Sequence, residues 1–482
     1  MKANPLVTAL AMAAACLAGT AHAVSLNPKG LGQVLIYPYY TVNKNQDTLV
    51  SVVNTSGIGK MVKVLFLEGY NGREVLNFNL YLSPHDVWTA RVSQVSDAGG
   101  AAVFTRDHSC TYPPAGYSFR ASAYAGGSVF PADGGPTDVS RTREGYVELI
   151  EMGEIVAGSP LDVATTHVQD GTPNDGTPAC TPSAIGNAAG ANLSIPNGGL
   201  FGSGSIINVG QGTFFGYNAD AIEGFSSQIL FSGSGLTPSL QQANTATSTA
   251  GGAIAYVFTN GKLLTLDYAR GVDAVSAVFT ANAIYNEYLA VPGIGAATDW
   301  VVTFPTKRFH VDGKAYSFTT VIPPFHELFH APGVSNAKVG ISLFDQEEGF
   351  TTQPDDFSPP SATAPSSLPY EVNVISFLAS SDPNAGKTSG VFGSKLVSNI
   401  PPYGGAGWMQ LDLASGDGGH ALRPAANGDV LHGLPVTGFM VYNVINANAQ
   451  PGKLANYGGL FSHRAGVSCS SSNPPPAQDP CS

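Results

Sequence analysis

Hydrophobic and polar residues alternate along residues 47–92, or cluster in short apolar runs that turn residues interrupt. Leu49, Ser51 and Val53 would share one side of a strand. This period of two, broken by Asn-Thr-Ser-Gly, Tyr-Asn-Gly-Arg and Ser-Pro, predicts β-strands joined by tight turns. Asn71 and Gly72 can supply the positive φ angles of a two-residue hairpin, so the chain should reverse there. The stretch therefore predicts an antiparallel meander.

The same pattern recurs along most of the chain, and a single short helix is predicted over residues 281–290. Predicted strands outside the meander cover residues 33–40, 145–152, 205–209, 213–218, 253–259, 262–268, 300–304, 338–343, 370–377, 408–413 and 435–443. The predicted fold class is all-β, with two immunoglobulin-like antiparallel β-sandwich domains and long loop insertions.

Composition divides the chain into five predicted segments. Residues 1–23 form a signal peptide, 24–156 an N-terminal β-sandwich domain, and 252–465 a C-terminal β-sandwich domain. Residues 157–251, rich in Gly, Pro and Asn, form a linker or an insertion with short strands. Residues 466–482 form a flexible tail rich in Ser and Pro.

The amino terminus predicts export. Lys2 precedes an apolar run too short to span a bilayer, and Ala21-His22-Ala23 is a signal-peptidase site with cleavage before Val24. A lipoprotein signal using Cys16 is the alternative, but Ala13 stands where leucine is usual. The expected location is the periplasm, the outer surface or the extracellular space, and no later segment reads as a transmembrane helix.

Charge bears on the possible partners. Cleavage after Ala23 would remove Lys2 and change the formal net charge from −12 to −13, and only 12% of residues are charged. An acidic chain without a basic stripe argues against nucleic acid and anionic lipid. Other surface proteins, self-association or glycans remain the expected partners.

Four cysteines remain after cleavage, namely Cys110, Cys180, Cys469 and Cys481. An even number in an oxidising compartment predicts two disulfides. Of the three possible pairings, the local one, which joins Cys110 to Cys180 and Cys469 to Cys481, places the fewest demands on how the chain folds. No Cys-x-x-Cys motif is present, so thiol catalysis is not expected.

One catalytic motif is present. His326-Glu327-Leu328-Phe329-His330 matches H-E-x-x-H, in which a helix presents two histidines to zinc while the glutamate activates the bound water. This predicts, as an alternative function, a secreted zinc metallopeptidase with Glu327 as the catalytic residue. Against it, Pro332 should end any helix near His330, and Asn336 stands where a third ligand belongs.

Two weaker candidates involve aromatic and acidic residues. Tyr37, Tyr39 and Tyr40 could stack on sugars, as in a carbohydrate-binding module, although strand alternation favours packing in the core. Glu148 and Glu151 could act as a carboxylate pair, but strand alternation puts them on opposite faces. The chain has no G-x-S-x-G elbow, Walker A motif or dinucleotide fingerprint.

The turn residues of the predicted meander resemble those of a known group of β-sandwich modules. Val53-Asn54-Thr55, Asn71-Gly72-Arg73 and Leu82-Ser83-Pro84 resemble the immunoglobulin-like sandwich modules of bacterial surface and exported proteins. With residues 299–305, Asp-Trp-Val-Val-Thr-Phe-Pro, they are also similar to an uncharacterised family of exported Gram-negative β-rich proteins. The resemblance implies a fold and no active-site residues. The expected function is that of an exported, non-enzymatic structural or binding protein without a cofactor, with zinc at His326 and His330 as the alternative.

Overall fold

A computed structural model describes residues 23–95, 99–114, 118–119, 131–168, 176–233, 235, 237–353, 367–379 and 381–471. Strands make up 46% and helices 12% of the structure, so the predicted all-β class is confirmed. Nearly all neighbouring strands run antiparallel. The architecture is that of two sandwich-like pairs of sheets.

The first pair of sheets combines an eight-stranded and a five-stranded sheet. The larger sheet contains β1 (Ser25–Leu26), β2 (Val34–Thr41), β4 (Lys60–Glu68), β5 (Glu74–Leu82), β8 (Thr111–Tyr112), β9 (Glu144–Ile155), β10 (Leu193–Ser194) and β13 (Asp220–Glu223). The smaller sheet contains β3 (Asp47–Asn54), β6 (Val87–Val95), β7 (Gly100–Phe104), β11 (Leu200–Asn208) and β12 (Thr213–Asn218). The larger sheet runs in the order β1-β13-β2-β9-β4-β5-β8, with β10 beside β9, and the smaller sheet in the order β12-β11-β3-β6-β7.

Alternation along the strands builds the first core. In β6 the buried residues Trp88, Ala90 and Val92 point to the larger sheet, and the residues between them face solvent. The Trp88 ring lies 5.7 Å from that of Phe78 on the opposing sheet. The outward side of the smaller sheet is therefore an accessible surface, and it carries apolar as well as polar side chains.

The second pair of sheets has five strands in each sheet. The outer sheet contains β17 (Ala283–Leu289), β20 (Gly340–Asp345), β21 (Phe350–Gln353), β25 (Ala406–Asp412) and β30 (Arg464–Gly466). The inner sheet contains β18 (Ala296–Thr303), β23 (Val372–Ser376), β24 (Val397–Asn399), β28 (Thr437–Gln450) and β29 (Lys453–Ser462). The orders are β21-β20-β25-β17-β30 and β24-β23-β18-β28-β29, with Tyr288 and Phe377 stacked 4.8 Å apart between the sheets.

Short elements complete the described fold. Two-stranded sheets pair β14 (Ala253–Thr259) with β15 (Lys262–Tyr268), β16 (Thr280–Ala281) with β27 (Leu434–Pro435), β19 (Ala337–Lys338) with β22 (Ser367–Leu368), and β26 (Asp429–His432) with β31 (Ser468–Ser471). The α-helices are α1 (Pro160–Thr165), α2 (Gly271–Phe279), α3 (Arg308–Val311) and α4 (Gly313–Tyr316). The 3₁₀ turns are Asn43–Asn45, Val139–Arg143, Gly186–Asn192, Leu240–Gln242, Pro292–Ile294 and Gly416–Gly418.

Two predictions are wrong. Residues 47–92 do not form a meander, because β4 and β5 pair in the larger sheet whereas β3 and β6 pair with each other in the smaller sheet. Residues 281–290, predicted as a helix, contain all of β17, which pairs with β25 and β30. The segment 157–251, predicted as a linker or insertion, supplies β10, β11, β12 and β13 to the first pair of sheets. From the predicted tail, β31 pairs with β26, and residues 472–482 lie outside the described residues.

Candidate functional site

The His326–His330 segment is irregular and not helical, and it leads into a turn over residues 331–333 that the bridge between His330 and Val334 encloses. His326 Nε2 lies 3.2 Å from the Gly419 carbonyl oxygen, whereas His330 Nε2 contacts the Glu327 carboxylate. The other Glu327 oxygen accepts a hydrogen bond of 2.6 Å from the backbone N–H of Asn336. The two histidines thus have different partners, and Glu327 closes the turn.

Electrostatics around this turn follow from those bonds. Burial alone would raise the pKa of Glu327, but the hydrogen bonds from His330 and Asn336 lower it below its usual value. Hydrogen bonding to the Ala331 carbonyl and to Glu327 raises the pKa of His330. Among the described residues, no group of three or more His, Cys, Asp or Glu side chains could hold a metal ion. The geometry that a catalytic zinc requires is therefore not assembled in this part of the chain.

The other predicted site residues are covalent or core groups. Cys110 and Cys180 form a disulfide, as predicted. Cys469 is also disulfide-bonded, and its predicted partner Cys481 lies outside the described residues.

The tyrosine cluster lies in the core. Tyr37, Tyr39 and Tyr40 are fully buried, so the expected core packing is confirmed and they offer no surface for sugars. Their hydroxyls donate to the Ser51 carbonyl, the Glu144 carboxylate and the Thr142 carbonyl at 2.6, 2.8 and 3.1 Å.

A buried ion network, which the sequence pattern did not predict, joins the two pairs of sheets. Arg308 donates two bonds of 2.9 Å to Glu148. Arg73 donates to Asp312 at 2.7 and 3.0 Å. All four side chains are nearly or completely buried. Bidentate pairs of this kind fix the relative position of the elements that carry them.

Two further charged groups beside this network have perturbed pKa values. Burial raises the pKa of Glu371 to about 8, and its carboxylate accepts a bond of 3.0 Å from the Tyr146 hydroxyl. Burial lowers the pKa of Lys307 to about 7, although its ammonium group donates to the carbonyls of Ser335, Leu368 and Tyr370. Strong shifts can mark active sites, but these groups are fully enclosed, so a structural role explains them.

The accessible chemistry of the second pair of sheets lies on the outward face of the outer sheet. Phe350, Phe344 and Trp408 occupy neighbouring positions on β21, β20 and β25. The rings of Phe344 and Trp408 stack 4.0 Å apart and almost parallel, and Phe350 follows at 6.1 Å. Phe350 is 65% and Trp408 38% exposed. We call these three residues the aromatic row.

A parallel row of polar side chains lies beside the aromatic row. Gln410 on β25, Tyr285 on β17 and Arg464 on β30 are paired in register across the sheet. None of the three side chains makes a hydrogen bond to the described part of the chain. The face therefore combines exposed apolar rings with polar groups that can bond a ligand.

No family model, no curated protein and no solved structure matches the chain. The helices that the structure describes include none with the length and apolar character needed to cross a membrane.

Proposed function

We propose that this chain is an exported, non-enzymatic binding protein that recognises glycan chains on its outer sheet. The observation that carries the proposal is the aromatic row with its neighbouring polar row. Sugar rings have apolar C–H faces and a rim of hydroxyls, so they match exposed aromatic rings flanked by hydrogen-bonding groups. The proposal also takes up the immunoglobulin-like character that the sequence pattern suggests.

The stacking of the rings decides how a glycan would contact them. Phe344 and Trp408 cover one face of each other, so a sugar would contact the outer face of Phe350 and the uncovered side of Trp408. Hydroxyls would then reach Gln410 and Tyr285. Because the row stands on a rigid sheet, binding would need little ordering of the protein.

The export part of the proposal rests on the predicted signal sequence before Val24. Val24, the predicted first mature residue, is fully buried, and its backbone nitrogen donates to the Ile254 carbonyl at 2.8 Å. Ala23, on the other side of the predicted cleavage site, is buried as well, so the fold includes both flanks of that site. Periplasmic or surface location follows in this proposal from the signal sequence.

A glycan array followed by calorimetric titration of the bound glycans tests the proposal. We expect Trp408→Ala and Phe350→Ala to weaken binding about tenfold or more, because each removes roughly 1.4 kcal/mol of contact energy or more. Phe258→Ala, which truncates a 70% exposed ring elsewhere, is the matched control and should leave the affinity within twofold. Absence of glycan binding by the wild-type protein, or equal loss in all three variants, would contradict the proposal.

A further inference from the structure

The outward face of the smaller sheet in the first pair holds a trough. The trough has a volume of about 750 Å³ and crosses β11, β3, β6 and the end of β7. Leu49 on β3 lies opposite Arg91 on β6 and Ser205 on β11, and Arg91 lies opposite Phe104 on β7. The floor therefore carries apolar, cationic and hydroxyl groups in one cross-strand row.

Two guanidinium groups line this trough, in an acidic chain with a formal net charge of −12. Arg91 lies over the ring of Phe104, at 5.3 Å from its centroid. Neither Arg91 nor Arg106 forms an ion pair with a carboxylate in the described ranges. Both cations are exposed and available to a ligand.

The nearest acidic side chain in sequence forms no ion pair with these cations among the described residues. Asp107 follows Arg106, but one of its oxygens accepts bonds from the backbone N–H and the hydroxyl of Ser109 at 2.9 and 2.6 Å. The other accepts from the backbone N–H of Thr89 at 3.2 Å. Asp107 is therefore occupied in its own turn, and it does not line the trough.

Hydroxyl groups complete the surface. The Ser51 and Ser203 side chains face each other across β3 and β11 with 3.0 Å between their oxygens, and either can donate. Ser205 lies two residues further along β11 on the same side. These groups can bond the hydroxyls of a ligand whose anionic groups are held by the arginines.

We infer that the trough binds an acidic polysaccharide, a chain of sugar rings that carry carboxylates. Charge complementarity selects the carboxylate because an arginine fork matches it in two bonds. The serine hydroxyls can hydrogen-bond to a sugar ring next to that carboxylate, and the Phe104 ring can pack against the same sugar. The inference is independent of the aromatic row, which lies on a different sheet.

Calorimetric titration of the mature protein with polygalacturonate tests the inference, with uncharged dextran of similar length as the reference polymer. We expect polygalacturonate to bind and dextran not to bind at this site, with affinity falling as salt is raised. Arg91→Gln and Arg106→Gln should each weaken binding about tenfold. Lys453→Gln removes the same charge from an exposed residue elsewhere and should leave the affinity within twofold.

Several results would overturn the inference. These are absence of polygalacturonate binding at low salt, equal weakening by Lys453→Gln, or equally tight binding of polyphosphate, which would show attraction to any polyanion. Circular dichroism of each variant checks that the fold is retained. Loss of polygalacturonate binding in Arg91→Gln and loss of array-glycan binding in Trp408→Ala are measured separately, so failure of the trough and failure of the aromatic row are distinguished.

Discussion

At the residue scale, His310 shows how burial sets the charge of a side chain. It is completely buried, with Nε2 3.1 Å from the Ser276 hydroxyl. Burial, followed by the positive charges of Arg270 and Arg423, lowers its pKa to about 3. The folded protein therefore keeps His310 neutral at a pH where the unfolded chain protonates it.

This difference predicts a loss of stability in acid. The folded pKa of about 3 lies below the unfolded value of 6.5, so the unfolded state binds more protons between these values. The His310 contribution should therefore fall as pH drops from 6.5, by roughly 3 kcal/mol at pH 4. Chemical unfolding of the wild type and His310→Asn from pH 7 to pH 4 measures it. The difference in unfolding free energy between the two proteins should narrow in acid, whereas a constant difference would contradict the prediction.

A second residue-scale prediction concerns the Arg308–Glu148 pair. Burial raises the pKa of Glu148, and Arg308 opposes that rise. Arg308→Met would leave an uncompensated buried carboxylate and should cost about 3–5 kcal/mol of unfolding free energy. Adding Glu148→Leu should restore part of that loss, since both charges are then gone. Strictly additive losses in the double-mutant cycle would show that the pair is not coupled.

Sequence reasoning succeeded for residues whose role is local and failed where partners are remote. Alternation alone favoured core packing for Tyr37 and its neighbours, and the structure buries them. Arg308 and Glu148 are 160 positions apart, so no spacing pattern could reveal their pairing. The H-E-x-x-H match shows the opposite case, because its zinc chemistry depends on a helix and residues 326–330 are not helical.

At the element scale, alternation is enough to predict most strands, and residues 281–290 are an exception. Within residues 281–290, the predicted helix, Ile284 and Tyr288 are four apart, a spacing that also fits a helix, yet in β17 the same two side chains point inward at a period of two. Pairing with β25, more than 100 positions away, decides between the two patterns. The aromatic row was missed for the same reason, since its rings come from three separate strands.

The disulfide gives an element-scale prediction. It links β8, through Cys110, to the segment after α1, and it closes a loop of 70 residues. Restricting the unfolded chain over such a loop is worth roughly 4 kcal/mol. Cys110→Ser/Cys180→Ser should lower the unfolding free energy by about that amount, as measured by urea denaturation. Reduction of the wild type also opens the disulfide of Cys469, so it should lower the unfolding free energy by at least as much. An unchanged midpoint in both cases would contradict the prediction.

At the scale of the whole molecule, the two pairs of sheets share one apolar core, while a second, separate core fills the space between the inner and outer sheets. The larger cluster of buried residues includes strands of the first pair and also Val301, Val374 and Phe439 of the second. Phe392, which precedes β24, contacts Tyr39 at 5.3 Å between ring centroids. The sequence indicates two sandwich patterns, but the continuity of their cores depends on contacts between distant segments.

A shared core predicts that both halves unfold together. Trp88 reports on the first pair of sheets and Trp300 on the second, and both are buried. Variants that retain one of these tryptophans, with the others changed to Phe, should give coincident thermal transitions by fluorescence. Phe392→Ala should lower both transitions equally, because unfolding of either half exposes the surface that this ring covers, at a cost of about 3–5 kcal/mol. A shift confined to the Trp300 transition would instead show that the halves unfold independently.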